Sequence, residues 1–131
     1  MRASPALSAA LLAVALTAGW TAAQETRAPF VYVSGYRPGI SIFRLDVAGG
    51  KLIPAGQADA GQEPSFLAWD PAARFLFAVN ETDPGRVRSF AIHQASGVLT
   101  PVNDVPAMGS ITAHLSTDRT GRWLLVANYG D

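Results

Sequence analysis

From Phe30 onward the chain alternates between short apolar runs and clusters of Gly, Pro, Asn and Asp. Phe30-Val31-Tyr32-Val33, Ile40-Ser41-Ile42-Phe43, Phe75-Leu76-Phe77-Ala78-Val79 and Leu124-Leu125-Val126-Ala127 are such runs, too short for stable helices and rich in residues that suit a pleated surface. The pattern predicts strands near 30–36, 40–46, 51–57, 65–70, 74–80, 86–93, 98–103, 112–118 and 122–128. No helical apolar period is sustained beyond the N-terminal segment.

The runs also repeat. Residues 62–81 lie over residues 110–129, and within them Asp70 pairs with Asp118, Arg74 with Arg122 and Asn80 with Asn128, each 48 residues apart. A weaker copy starts at Phe30, 45 residues before Phe75. Periods of this size belong to propellers and solenoids. Asp70-Pro71-Ala72-Ala73 and Asp118-Arg119-Thr120-Gly121 have turn chemistry: an Asp to bond the backbone two residues on, and a Pro or Gly to shape the bend. Gly49-Gly50-Lys51 and Ser96-Gly97-Val98 stand 47 residues apart and close a second hairpin in each unit. Each unit is then a four-stranded meander, the blade of a β-propeller. A WD40 repeat has a similar length, but Trp69-Asp70 sits at the wrong end of its hairpin for that motif. The expected fold is all-β, a propeller of four-stranded antiparallel blades. With 65–70 as an innermost strand, the first blade lacks that strand and the last has only its two inner ones, about two and a half blades in all.

Two passages carry a family resemblance: Pro64-Ser65-Phe66-Leu67-Ala68-Trp69-Asp70-Pro71 with Arg74-Phe75-Leu76-Phe77-Ala78-Val79-Asn80-Glu81, and His114-Leu115-Ser116-Thr117-Asp118 with Gly121-Arg122-Trp123-Leu124-Leu125-Val126-Ala127-Asn128-Tyr129-Gly130. The endings Asn-Glu and Asn-Tyr distinguish them from a generic propeller hairpin. Over about residues 29–131 the sequence resembles the lactonase-family β-propellers, which include the propeller type of 6-phosphogluconolactonase and, more distantly, the fungal carboxy-muconate cyclases. The resemblance implies a seven-bladed protein of which this chain is an N-terminal fragment, with the missing first strand supplied from the far C-terminus. It implies hydrolysis of a sugar lactone to a hydroxy acid, without metal or cofactor, by a full-length monomer acting on a small-molecule lactone or sugar acid. It also places much of the catalytic constellation, a Pro-His-x-His stretch with later Arg and Glu, in middle blades, and this sequence contains no such stretch. The fragment alone is expected to be inactive.

Composition removes other classes. The 131 residues are 49% hydrophobic and 15% charged, with zero formal net charge and no cysteine, so a disordered tail, a disulfide scaffold and a cysteine metal site are excluded. Met1 to Ala23 hold Arg2, no acidic residue and the run Leu11-Leu12-Ala13-Val14-Ala15-Leu16, followed by small residues at Thr21 and Ala23. That is the pattern of a signal peptide over 1–23, with a linker at 24–29 and the truncated propeller domain at 30–131. Cleavage leaves nine basic against ten acidic residues, with nothing to attract nucleic acid or an anionic membrane. The expected location is periplasmic or extracellular, which is awkward for a phosphorylated cytoplasmic metabolite and favours another lactone.

Lactone hydrolysis needs a base to activate water and a group to hold the developing oxyanion. Strand direction puts His114 at the start of an innermost strand, on the same rim as Asn80, Glu81, Asn128, Tyr129, Tyr36 and Arg37. His114 replaces the Phe66 of the preceding unit and reads as a general base or substrate ligand, or else as a hydrogen-bonded channel residue. Glu81 is its candidate catalytic partner, or an exposed loop carboxylate. Asn80, Asn128, Tyr129, Tyr36 and Arg37 are candidate substrate contacts, the two Asn residues doubling as loop caps. Asp70, Asp118, Arg74 and Arg122 recur in each blade and read as structural. Asn80-Glu81-Thr82 matches a glycosylation acceptor. The rival function is a non-catalytic exported propeller that binds a ligand or protein through the same rim.

Overall fold

A computed structural model describes residues 29–130, so the signal-peptide reading at 1–23 and most of the 24–29 linker lie outside the described residues. The apolar runs become strands β1 (Phe30–Val33), β2 (Ile40–Asp46), β3 (Lys51–Ala58), β4 (Leu67–Trp69), β5 (Phe75–Asn80), β6 (Arg86–Ile92), β7 (Leu99–Pro106), β8 (Ser110–Thr117) and β9 (Leu124–Gly130). They pair antiparallel in chain order, as β1-β2-β3, β4-β5-β6-β7 and β8-β9. These are the blades that the repeat predicts, the first without an innermost strand and the last with two.

Some boundaries differ from expectation. β1 ends at Val33, so Tyr36 and Arg37 belong to a loop. β4 starts late because Pro64 has no N–H to give a ladder and Glu63 before it takes a left-handed φ of 45°. β7 continues to Pro106 because Asp104 and Val105 pair with Arg88 and Val87.

The unbroken apolar run in β5 follows from its position. Side chains alternate across a strand: Leu76 and Ala78 join Ile40, Ile42 and Ala58 in the core shared with the first sheet, while Phe77 and Val79 turn toward Leu115 of the third. A strand covered on both faces has no polar side to show. Leu76 and Leu115 are fully buried, each contributing about 1.5–3 kcal/mol of transfer free energy. The outermost strands β3 and β7 are almost wholly exposed. Pro54 and Pro101, 47 residues apart, stand opposite Phe43 and Phe90 beside matching register shifts, and each removes a ladder donor from the blade's outer edge.

The repeated Asp residues close the tight hairpins. Asp70 accepts the Arg74 N–H at 2.6 Å and the Phe75 N–H at 2.7 Å; Asp118 accepts those of Arg122 at 2.9 Å and Trp123 at 3.0 Å. Burial pushes the Asp70 carboxyl up, but the N–H groups of Phe75, Arg74 and Ala72, with the Arg74 side chain, outweigh it and hold it below the usual carboxylate value. The Thr120 hydroxyl, backed by the Trp123 N–H, lowers Asp118 to about 2. At this end the blades are also tied to each other. Tyr32 Oη donates to the Gly97 carbonyl at 2.8 Å and Thr117 Oγ1 to the Trp69 carbonyl at 2.9 Å. Burial raises the Tyr32 phenol.

Candidate functional site

The opposite end of the strands carries the candidate residues, and a repeated backbone lock builds it. The Gly39 N–H donates to the Gly61 carbonyl at 3.3 Å, and one blade later the Gly85 N–H donates to the Gly109 carbonyl at 2.9 Å. Gly85 also accepts the Ala107 N–H at 2.9 Å, and Thr82 accepts the Ile111 N–H at 2.9 Å. The loop after β5 is thereby sewn to the segment that enters β8, which sets Glu81 and Thr82 beside the start of the strand holding His114.

The two repeated Asn residues complete this rim from beneath. Asn80 is 3% exposed and its Nδ2 donates to the carbonyls of Ala60 at 2.7 Å and Gln62 at 2.5 Å. Asn128 Nδ2 donates to the Ala107 carbonyl at 3.2 Å, and its Oδ1 accepts the Thr112 hydroxyl at 2.8 Å. Each Asn therefore clamps the segment entering its own blade. The Asn80 Nδ2 is committed to two backbone carbonyls and the side chain is buried, so in the folded chain neither a glycan nor a substrate reaches it. Asn128 does not cap its own loop as expected: its bonds reach Ala107 and Thr112, 21 and 16 residues earlier.

His114 is exposed and lies against Phe66, with ring centroids 4.4 Å apart and planes tilted by 47°. Phe66 precedes β4, its carbonyl accepting the Val79 N–H at 3.1 Å, whereas β8 begins at Ser110, earlier than expected, so His114 lies in the middle of its strand and not at its start. Glu81 is half-buried, and its N–H donates to the Glu63 carbonyl at 3.0 Å. Among the described residues the His114 and Glu81 side chains make no hydrogen bond. Tyr129 is 84% exposed and Tyr36 71% exposed.

Tyr36 and Arg37 do not join His114. They line a cleft of about 480 Å³ with Val33, Ser41 and Gln57. Val33, Ser41 and Gln57 are register partners on the face of the first sheet that turns away from the second, so the whole middle blade separates this cleft from His114. The pairing of Phe66 with His114 was not anticipated, although their 48-residue offset marked them as equivalents. Glu63 was also missed. Its equivalent, Ile111, shares its left-handed backbone with φ 51°, a signal that lies in the dihedrals and not in the residue types. Among the described residues no group of three or more His, Asp or Glu side chains could hold a metal ion, and no helix is long and apolar enough to cross a membrane.

Antiparallel sheets entered at the innermost strand, left at the outermost and packed face on face define the arc of a β-propeller, with its candidate site at one end of the strands. Residues 30–131 match the family described as lactonase, 7-bladed beta-propeller, and the chain belongs to it. It is 29% identical over 96 residues to a 6-phosphogluconolactonase of Formosa agariphila, covering 71% of this chain and 27% of that one. A 6-phosphogluconolactonase of Bacillus subtilis is 29% identical over 99 residues, covering 75% and 28%. The structure of a periplasmic gluconolactonase from Pseudomonas aeruginosa matches with a TM-score of 0.70 and 32% identity, over 76% of this chain and 30% of its own. The chain thus spans less than a third of the length of these relatives.

Proposed function

We propose that this chain belongs to an exported enzyme that hydrolyses a sugar lactone to the open-chain hydroxy acid. The observation that carries the reading is the family match over 30–131 together with an exposed imidazole, His114, on an innermost strand. In this reading His114 takes a proton from water as the water oxygen attacks the lactone carbonyl carbon. The ring C–O bond then breaks, and the imidazolium returns the proton to the leaving alkoxide, so the base is regenerated. Glu81 orients the attacking water or the imidazole; Tyr129 is a rim contact for substrate; Asn80 and Asn128 set the shape of the rim, and Tyr36 and Arg37, in their separate cleft, take no part at His114. No cofactor takes part.

Export rests on Arg2, the apolar run 11–16 and the small residues at Thr21 and Ala23, and the periplasmic relative supports it. The division is a signal peptide at 1–23, a linker at 24–29 and propeller from 30 onward, acting as a monomer. The test is steady-state hydrolysis of a lactone panel by the full-length protein and its His114→Gln variant. We expect a loss of kcat of about 10²–10⁴-fold with KM little changed. Unchanged kcat in His114→Gln would take the base away from this residue. No turnover of any lactone by the parent protein would favour the non-catalytic binding propeller.

A further inference from the structure

We propose that Phe66 and His114 together form a stacking platform for the apolar C–H face of an uncharged sugar lactone, with Phe66 as a specificity-determining binding residue. The proposal deepens the lactonase reading and rests on it for the identity of the ligand. The two rings come from equivalent positions of successive innermost strands and touch at 4.4 Å between centroids. Phe66 is 37% exposed and His114 is exposed, so although the tilted rings partly cover one another, part of each stays open at the junction of the two blades. A pyranose or lactone ring presents axial C–H groups on one face and hydroxyls around its edge. An aromatic surface takes the face, while nearby polar groups take the edge.

Charge around the platform sets which lactone fits. Glu63 stands three residues before Phe66 and its carbonyl accepts the Glu81 N–H, and Asp83 follows in the loop whose Thr82 carbonyl accepts the Ile111 N–H, three residues before His114. Each of the middle blade's three arginines has a carboxylate partner: Arg86 Nε lies 2.6 Å from Asp104 Oδ1, Arg88 pairs with Asp104 Oδ2 at 3.0 Å and Asp59 at 3.6 Å, and Arg74, at the opposite end, lies 3.4 Å from Asp70. A phosphate ester placed here would meet carboxylates and no free guanidinium from these arginines. A neutral ring would lose nothing.

The experiment uses the full-length protein, with D-glucono-1,5-lactam as a non-hydrolysable probe and with glucono-1,5-lactone and its 6-phosphate as substrates. Lactam binding is expected to shift the ring protons of His114 in the parent protein. Phe66→Leu is expected to weaken lactam binding and raise KM for the neutral lactone by about tenfold, and Phe66→Tyr to restore most of that loss. The neutral lactone is expected to show a kcat/KM at least about tenfold above that of its phosphate ester. Unchanged lactam affinity in a folded Phe66→Leu protein, or no response of the His114 ring in the parent, would overturn the platform. A preference for the phosphate ester would overturn the charge assignment. Lactam binding without hydrolysis would remove the lactonase reading and keep the platform, so the two fail separately.

Discussion

The Thr112 hydroxyl donates to the Asn128 carboxamide oxygen at 2.8 Å, and one blade earlier the same carboxamide has no such donor. Pro64 stands 48 residues before Thr112, and beside it both Asn80 Oδ1 and Ser65 Oγ are buried without a hydrogen-bond partner among the described residues. A buried acceptor left unmatched costs stability that a supplied hydroxyl would return. Pro64→Thr should therefore be more stable than Pro64→Val by about 1 kcal/mol, the valine substitution controlling for the loss of proline rigidity. In the other blade, Thr112→Val should cost about 1–2 kcal/mol by orphaning Asn128 Oδ1. Urea unfolding of the parent and the three variants measures both differences. A Pro64→Thr protein no more stable than Pro64→Val would show that no hydroxyl is wanted there.

Asn80 makes two bonds to the segment that links the first blade to the second, at 2.7 and 2.5 Å, and is 3% exposed. Asn80→Ala should leave the carbonyls of Ala60 and Gln62 without this donor and cost about 2–3 kcal/mol. Native-state hydrogen exchange should report faster opening of the amides held by this segment, Gly39 and Glu81 first.

The nine strands, their pairing and the division into blades could be read from the sequence because the repeat states them three times over in hydrophobic pattern and turn residues. β5 and β9 follow from unbroken apolar runs, and the hairpins from Asp70 and Asp118. The rim was legible only as a list of residues. Which of them meet depends on backbone locks between blades, such as Gly85 with Gly109, and on where chain segments cross, which no local pattern encodes. Strand direction places Asn80 on the rim as a substrate contact or loop cap, yet the entering segment of Ala60 and Gln62 covers it. Tyr36 and Arg37 share the end of the strands with His114, but the sheets are stacked side by side, so sharing an end does not bring residues into one cleft.

The two hairpin carboxylates give stability a defined acid limb. Backbone and hydroxyl donors lower both Asp70 and Asp118, the latter to about 2. A depressed carboxylate contributes stability that is fully present above its unfolded value near 3.9 and is lost as pH falls through the folded value. Stability should then be level with respect to these groups from pH 7 to about 5 and fall between about pH 4 and 2. Asp70→Asn and Asp118→Asn should each be less stable than the parent at pH 7 and should flatten the acid limb. Urea midpoints measured across that range would show it, and an unchanged limb in the double variant would assign the acid sensitivity to other groups.

Gly85 tests whether close backbone approach holds the second and third blades in register. It is buried, and a Cβ built on it would fall on Thr112 Oγ1 and lie 3.0 Å from the Gly109 carbonyl oxygen. Both obstacles belong to the segment that Gly85 bonds, so the added methyl must push apart the lock that supports the Thr112–Asn128 bond and the entry to β8. The backbone oxygen cannot rotate away as a side chain could. Gly85→Ala should cost about 1–3 kcal/mol, and it should alter the contact between Phe66 and His114, because the two rings sit on opposite sides of that junction. Gly35, at the same end of the first blade, has nothing within 4 Å of a built Cβ, so Gly35→Ala should leave stability within about 0.5 kcal/mol of the parent. Thermal unfolding of the pair, with the His114 ring resonances as the local probe, separates a steric lock from a general intolerance of substitution at rim glycines.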